Sequence, residues 1–266
     1  MPPANPPIAL VTAGSAGLGA AVALLFARTG MRVVINYHGD SQRANDLVRQ
    51  LQAASPLSLR PGRTDFHAIK ADLSLRPEIQ RLVGETVAIM CPPPSGVAEG
   101  YATMTDQQQQ QKQHLDVVFS NGGWTQMRDL MDLDDNLVDE DWDKCFTMNV
   151  KSHLWLMHAA RPYLEASYDS DSNGNGAASF ITTASLAGVQ PSGSSLAYSV
   201  TKAAQLHLAR ALAKIAAPKV RVNSVSPGLL MTVRFFLFVF WNAVVGWFNL
   251  LAYVACICVS GMGLEV

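Results

Sequence analysis

Short apolar runs alternate with segments of helical periodicity along most of the chain. The runs begin at residue 8 and then lie near residues 31–37, 66–69, 115–120, 177–183 and 219–228. Each is short, rich in β-branched and aromatic residues, and bounded by Gly, Asn, Asp or Pro, as buried strands are. Strands that alternate with helices predict an α/β fold, a doubly wound parallel sheet in three layers, with its ligand crevice at the carboxyl ends of the strands.

Two stretches break this pattern. Residues 91–113 are rich in proline and glutamine and have no periodicity, which predicts a disordered surface insertion between a helix and a strand. Residues 235–264 contain no charged residue, and about 20 apolar residues are enough to cross a bilayer. The domain is therefore expected to occupy residues 1–232, followed by a hydrophobic tail at residues 233–266.

Three interpretations of the tail compete. It is a membrane anchor, an aberrant hydrophobic end of the sheet, or a segment that does not belong to the natural protein. Val233-Arg234 is a dipeptide that a 5′ splice site can encode, so we favour translated intron and expect poor solubility and weak or no activity. Transcript sequencing tests this, and a message that runs through the tail would favour the anchor.

Composition limits the function. A chain of 266 residues with 49% hydrophobic content and a net charge of −1 predicts one large domain and gives no electrostatic reason to bind nucleic acid. The cysteines, at positions 91, 145, 256 and 258, make no metal-ligand spacing. We therefore expect no metal, a small-molecule substrate and a cytoplasmic location, or a membrane-associated one if the tail is genuine.

A glycine-rich turn, TAGSAGLG, follows the first apolar run and precedes a helix. Gly14, Gly17 and Gly19 let the backbone turn tightly and approach a pyrophosphate, which the N-terminus of the helix attracts. The spacing differs from the Gly-x-Gly-x-x-Gly of many dinucleotide folds, and such glycines also occur for packing alone. The strand-to-helix context favours a phosphate loop.

The end of the second strand bears on the cofactor. An acidic residue there would bind a ribose 2′-hydroxyl and repel a 2′-phosphate, but the position holds Asn36, with Ser41 and Arg43 following. This favours NADP(H), with NAD(H) still possible, although Asp40 argues mildly against a phosphate pocket. Asp72, after the third strand, is placed either to contact adenine or to cap the next helix.

Tyr198 and Lys202 lie one turn apart on a predicted helix, and Ser185 ends the preceding strand. A nearby ammonium lowers the pKa of a phenol, which lets Tyr198 exchange a proton with an alcohol or carbonyl oxygen, while Ser185 donates to the same oxygen. The structural alternative is a half-buried aromatic beside a solvated charge. Asn149 lies in the middle of a long predicted helix at residues 140–166, and its apolar neighbours predict an inward position.

These motifs together resemble the short-chain dehydrogenase/reductase family over residues 8–232, which implies a Rossmann-like fold. The matching motifs are TAGSAGLG, Asn121-Gly122-Gly123, Asn149, Ser185, Tyr198-x-x-x-Lys202, and Pro227-Gly228 with Thr232. Ala13 and Gly122 replace the family's usual Gly and Ala. By resemblance, Tyr198 is the acid/base, Ser185 steadies the substrate oxygen, Lys202 lowers the Tyr198 pKa and holds the nicotinamide ribose, and Asn149 positions a water of the proton relay.

The resemblance implies an oxidoreductase that interconverts a carbonyl and an alcohol, and family members are typically homo-oligomers. The alternative is a nucleotide-binding protein without turnover, because the tail replaces the family's substrate-covering segment and seventh strand. The sheet is then expected to end at an exposed sixth strand. The expected cofactor contacts are Gly14, Ser15, Gly17, Leu18, Gly19, Asn36, Ser41, Arg43, Asp72, Leu73, Asn121, Gly122, Tyr198, Lys202, Pro227, Gly228 and Thr232.

Overall fold

A computed structural model describes residues 6–57, 63–92, 113–170 and 178–229, and the backbone of residues 257–259. Its strands form one sheet, in the order β3-β2-β1-β4-β5-β6-β7. The strands are β1 (Ile8–Val11), β2 (Arg32–Tyr37), β3 (Phe66–Lys70), β4 (Val117–Ser120), β5 (Ala178–Thr183), β6 (Val220–Ser226) and β7 (Ile257–Val259). Strands β1 to β6 are parallel, and β7 pairs antiparallel with β6.

Helices connect the parallel strands and cover both faces of the sheet. They are α1 (Gly17–Arg28), α2 (Ser41–Ala54), α3 (Arg76–Met90), α4 (Asp139–Phe146), α5 (Ser152–Ser170) and α6 (Leu196–Ala216). The predicted doubly wound, three-layer α/β fold is confirmed.

The alternation of side chains along β2 shows how the two layers form. Val33 and Ile35 pack in one core with α1 and α2, whereas Val34 packs in the other with α3, α5 and α6. Successive residues of a strand point to opposite faces, so a continuous apolar run is what a strand covered on both sides requires.

The order of the strands places the ligand crevice. Strand β1 lies between β2 and β4, so the chain winds away from it in opposite directions. In open α/β sheets, ligands bind outside the carboxyl ends of the strands at this switch point. The loops after β1 and β4 therefore define the edge at which the predicted site residues should meet.

The long helix expected at residues 140–166 is interrupted. Helix α4 ends at Phe146, a π-helical turn follows at Thr147–Lys151, and α5 continues from Ser152. The expectation was wrong about continuity because the apolar periodicity runs through the π turn without a visible break. Such turns insert one extra residue and often occur at functional sites.

The expectation that the sheet ends at a sixth strand was also wrong. Residues 257–259 of the tail form β7, with Ser224 opposite Val259 and Ser226 opposite Ile257. Residues 93–112 of the predicted insertion, Thr232, and the rest of the tail lie outside the described residues. In the part of the chain that is described, no helix has both the length and the apolar character to cross a membrane.

Candidate active site

The glycine-rich turn is fastened to the end of β2. The Ala13 amide donates to Asn36 Oδ1 at 3.0 Å, and the Gly14 amide donates to the Asn36 carbonyl at 2.8 Å. Ala13 has a φ of +46°, in the left-handed region where a side chain is strained. The two hydrogen bonds offset that strain and fix the shape of the loop.

Packing requires two of the loop glycines. A Cβ at Gly14 would lie 2.8 Å from the Val11 carbonyl oxygen, and one at Gly19 would lie 2.4 Å from that of Ala13. Gly17 has a φ of +54°, which glycine adopts without strain. The packing alternative therefore holds for Gly14 and Gly19, whatever the loop binds.

The start of α1 fits a phosphate group. Among the described residues, no side chain caps its N-terminus, and its first turn contains no acidic residue. Ala16 and Gly17 are exposed there, and Ser15 and Leu18 are half-buried. Uncapped amides and the positive end of the helix dipole attract anions, so this donor set suits a dinucleotide pyrophosphate.

Asn36 lies beneath the loop, not at the open edge. It is 1% exposed, its Oδ1 accepts from Ala13, and its Nδ2 donates to the Ala71 carbonyl at 3.0 Å. Both ends of the amide are occupied, so the expected direct contact with the ribose is corrected to a structural role. An amide can join the loop to the end of β3 in this way because it both donates and accepts.

Ser41 and Arg43 lie at the exposed start of α2. Asp40 caps this helix by accepting from the Arg43 amide at 2.8 Å, and its other oxygen lies 3.7 Å from the Arg43 guanidinium. The Arg43 side chain is 55% exposed. A surface ion pair of this kind is worth about 0–1 kcal/mol, so Arg43 is free to turn toward an anion.

Asp72 does not cap α3, because Leu75 occupies that position. Its carboxylate accepts from the Ser74 amide and hydroxyl at 2.8 and 2.7 Å. Burial favours the neutral acid, but these hydrogen bonds outweigh it and lower the pKa of Asp72. Leu73 packs against Gly122, where a Cβ would lie 2.6 Å from Leu73 Cδ1.

Asn121 joins three strands at the same edge. Its amide donates to Thr12 Oγ1 at 2.9 Å, after β1, and its Oδ1 accepts from Thr183 Oγ1 at 3.0 Å, at the end of β5. Asn121 Nδ2 also donates to the Ala13 carbonyl at 3.4 Å, so this residue holds the glycine-rich loop beside the strand that leads to Ser185. Pro227 and Gly228 follow β6, and the Pro227 carbonyl accepts from the Leu186 amide.

Asn149 lies in the π turn and is fully buried, as its apolar neighbours predicted. Its Oδ1 accepts from the Trp124 amide at 2.8 Å, and its Nδ2 donates to the Trp124 carbonyl at 2.9 Å and to Thr201 Oγ1 at 3.0 Å. A Cβ at Gly123 would lie 3.3 Å from Asn149 Oδ1 and 3.5 Å from Lys202 Nζ. Asn149 and Lys202 therefore face the same glycine.

The Ser185 hydroxyl lies beside the Tyr198 phenol and accepts from the Ala187 amide at 3.2 Å. Gly188 makes this approach possible, because a Cβ there would lie 2.5 Å from the Lys202 carbonyl carbon. Burial raises the pKa of Tyr198, and the Ser185 hydroxyl only partly opposes this. We expected Lys202 to lower the Tyr198 pKa, but Lys202 is not among the groups that shift it.

The position of the ammonium explains this difference. Lys202 Nζ lies 5.6 Å from the centre of the Tyr198 ring and donates to the Thr183 carbonyl at 2.8 Å and to Gln205 Oε1 at 2.9 Å. Lys202 is 4% exposed, and burial lowers its pKa to about 7. Its charge is held at the end of β5, not beside the phenol oxygen.

Sequence reasoning missed Gln205, His153 and Trp124. Gln205 follows Lys202 by three residues and His153 follows Asn149 by four, so each shares a helix face with a predicted site residue. That spacing could have found them. Trp124 contributes only backbone groups to Asn149, and its ring lies beneath the Lys144 ammonium at 4.5 Å.

Fold and site together define a class. The protein is an oxidoreductase that uses a nicotinamide dinucleotide, NAD(H) or NADP(H), to interconvert a carbonyl and an alcohol. It belongs to the short chain dehydrogenase family, whose model matches residues 7–92 and 97–235.

Individual relatives agree with this assignment. A Streptomyces violaceoruber protein described as ketoacyl reductase 2 of the granaticin polyketide synthase is 33% identical over 226 residues, covering 85% of this chain and 74% of that protein. The structure of the NADH-dependent reductase A1-R′ with NAD is 25% identical, with a TM-score of 0.66 over 85% of this chain and 79% of its own. The Pseudomonas aeruginosa RhlG/NADP complex is 27% identical, with a TM-score of 0.65 over 87% and 75%.

Proposed function

We propose that this protein reduces a small-molecule carbonyl with NADPH, and oxidises the alcohol in reverse, with Tyr198 as the acid/base. The observation that carries the proposal is the convergence of Ser185, Tyr198 and Lys202 at the edge where α1 offers uncapped amides. A polar donor set beside a phosphate-binding loop suits hydride transfer to a carbonyl.

The residues would act on one oxygen. The bound nicotinamide supplies the hydride that adds to the carbonyl carbon. Tyr198 gives its hydroxyl proton to the carbonyl oxygen, while the Ser185 hydroxyl donates a hydrogen bond to the same oxygen. Because burial raises the pKa of Tyr198, the phenol keeps its proton at neutral pH, as the reductive direction requires.

Lys202 and Asn149 would support this step. Lys202 does not lower the pKa of Tyr198, so its proposed role is to donate its remaining ammonium hydrogen to a water or a ligand hydroxyl beside Gly123. Asn149 holds the loop after β4 through both backbone groups of Trp124. We propose that the space beside Gly123, which both side chains face, holds a water that returns a proton to Tyr198.

The test of the acid/base is Tyr198→Phe, which removes the transferable proton and little else. We expect kcat to fall by about 10²–10⁴-fold, the usual range for general acid–base catalysis, with the Kd for NADPH nearly unchanged. Tyr163→Phe is the matched control, because Tyr163 is a half-buried tyrosine of α5. Carbonyl reduction by Tyr198→Phe at the wild-type rate contradicts the assignment.

A second outcome separates enzyme from binding protein. If the wild-type chain quenches or shifts NADPH fluorescence but oxidises no NADPH across a broad carbonyl panel, it binds the nucleotide without turnover. The substrate-side residues beyond position 229 lie outside the described part of the chain.

We also expect the protein to be cytoplasmic and to form a homo-oligomer. Its location and its oligomeric state both stay predictions.

For the cofactor, we propose a preference for NADPH over NADH that rests on Arg43 and Ser41. Arg43→Ala should weaken NADPH binding at least tenfold, since a hydrogen bond to a charged group is worth about 1.5–3 kcal/mol, and leave NADH binding unchanged. Arg49→Ala, on the same helix and also paired with an acidic neighbour, is the control. Fluorescence titration with NADPH and with NADH measures the difference between the two affinities. Equal affinities in the wild type refute the preference for NADPH.

A further inference from the structure

A continuous chain of polar side chains runs from Lys202 into the protein interior. Lys202 Nζ donates to Gln205 Oε1 at 2.9 Å, Gln205 Nε2 lies 2.9 Å from His153 Nε2, and His153 Nδ1 lies 2.6 Å from Ser120 Oγ. Gln205 Nε2 also donates to the Thr183 carbonyl at 3.1 Å. The members come from α6, α5 and β4, and the proposed reaction uses none of them beyond Lys202.

All of these groups are shielded from water. Gln205 and His153 are fully buried, and Ser120 is 2% exposed. A buried polar group without a partner costs roughly 1–3 kcal/mol, so each must be satisfied by its neighbours. Apolar side chains would fill the same space without needing hydrogen-bond partners. The presence of linked polar side chains here therefore indicates a function beyond packing.

Donors and acceptors fit along the chain in one direction only. An ammonium can only donate, so the Gln205 atom facing Lys202 must be the oxygen, and the amide nitrogen must face His153. His153 Nε2 then accepts, and its hydrogen is on Nδ1, toward Ser120. A protonated His153 would set an N–H against the Gln205 amide hydrogens, so the histidine has to be neutral.

Burial agrees with that requirement. Burial, together with the charge of Lys202, lowers the pKa of His153 to about 3, and a backbone hydrogen bond at Gly122 only partly opposes this. The ring therefore stays neutral across the physiological range and keeps Nε2 as an acceptor. Gln205 cannot rotate its amide without losing contacts to both Lys202 and His153.

We propose that Gln205, locked by His153 and Ser120, is a positioning residue that holds the Lys202 ammonium at the end of β5. The inference rests on the proposed role of Lys202 beside Tyr198. Gln205 and Thr183 take two of the three ammonium hydrogens. No other described residue takes the third, which is left for a ligand or water on the side that faces Gly123.

Two substitutions at Gln205 should move the activity profile in opposite directions. The titratable groups near Lys202 are Tyr198 on its own helix, Cys145 on α4 and His153 on α5. Gln205→Met removes the acceptor and disfavours the charged lysine. Gln205→Glu adds a carboxylate and favours it.

The measurement is the pH dependence of kcat/KM for NADPH-dependent carbonyl reduction. The upper pKa of the profile is expected to be that of Lys202, about 7 in the wild type. It should fall by about one unit in Gln205→Met, which lowers kcat/KM at pH 7 about fivefold, and rise by about one unit in Gln205→Glu. His207→Leu, exposed on the same helix, should leave the profile unchanged. Shifts in the same direction, or none, overturn the proposal.

A double variant tests whether the residues act as a unit. His153→Leu should cause part of the shift in the pH profile that Gln205→Met causes. The double variant should resemble Gln205→Met alone, because the effects of substitutions within one network are not additive. His158→Phe, exposed on α5, is the control for His153. Additive losses in folded variants, checked by thermal unfolding, contradict a single positioning chain.

A readout independent of turnover separates this inference from the proposed function. Long-range ¹H–¹⁵N spectra of the wild-type chain, with His153 assigned by its loss in His153→Phe, report the tautomer directly. We expect hydrogen on Nδ1 only, from pH 5 to 8. If the enzyme proves inactive but this tautomer is found, the proposed function fails while the hydrogen-bonded network of Gln205, His153 and Ser120 stands. An Nε2–H tautomer or a charged ring overturns the network itself.

Discussion

Lys202 lies 4% exposed beneath the edge of the sheet, with its ammonium bound to Thr183 and Gln205. The pKa of this lysine falls to about 7 from an ordinary 10.5 because burial penalises the charged form. The proposed reaction needs the protonated lysine as a hydrogen-bond donor beside Gly123. At this residue, the demands of catalysis therefore oppose those of stability.

This opposition predicts a pH-dependent effect of Lys202→Met. Below pH 7 the wild-type lysine is charged in both folded and unfolded states, and its burial costs a few kcal/mol, at about 1.4 kcal/mol per pKa unit. Between about pH 7 and 10.5 the folded state loses its proton first, so wild-type stability rises with pH. The excess stability of Lys202→Met should therefore be largest at low pH and shrink across that window.

Urea unfolding of both chains from pH 6 to 10 measures this difference. Lys214→Met, on the same helix near its C-terminal end, is the control and should show no such slope. A constant difference between Lys202→Met and wild type over the whole range would mean that the folded-state pKa is not lowered.

At the level of elements, the glycine-rich loop is shaped by packing as much as by what it binds. Gly14 and Gly19 sit too close to backbone oxygens for any Cβ, and Asn36 fixes the turn from below. The π turn has a similar role on the other side of the site. It carries Asn149 into the interior, where the amide holds both backbone groups of Trp124.

The loop geometry predicts the effect of Gly19→Ala. The new Cβ would meet the Ala13 carbonyl oxygen at 2.4 Å, and displaced backbone typically costs about 1–3 kcal/mol. We expect a lower free energy of unfolding and at least tenfold weaker NADPH binding. Gly84→Ala is the matched control, because no atom of the described residues lies within 4 Å of its Cβ position in α3.

Urea unfolding and NADPH titration measure both variants. Gly84→Ala should stabilise the protein by about 0.5–1 kcal/mol, the cost of glycine inside a helix, and leave NADPH binding unchanged. If Gly19→Ala is as stable as wild type, the loop is not held as tightly as the contacts indicate.

At the level of the whole molecule, two cores and one edge account for most of the architecture. One core lies under α1 and α2 and the other under α3, α5 and α6, so the sheet is covered on both faces. The tail contributes β7, which pairs with β6 and covers the last parallel strand over three residues. This pairing favours the sheet-end interpretation for residues 257–259. Transcript sequencing tests whether the tail is translated intron.

The sequence by itself determined the fold class, the order of the elements and the residues of the proposed site. Each of these depends on local pattern: strand and helix periodicity, glycines between a strand and a helix, and the four-residue spacing of Tyr198 and Lys202. These signals lie within one element or one turn. They do not depend on which elements later pack together.

Only the tertiary structure decided what those residues contact. Asn36 points inward, where its amide reaches the end of β3. His153 meets Gln205 across 52 residues of chain because α5 and α6 contribute to the same core on one face of the sheet. The raised pKa of Tyr198 and the lowered pKa of Lys202 follow from burial, which no spacing reveals. Contacts and dielectric environment are set by distant segments, so they appear only once the chain has folded.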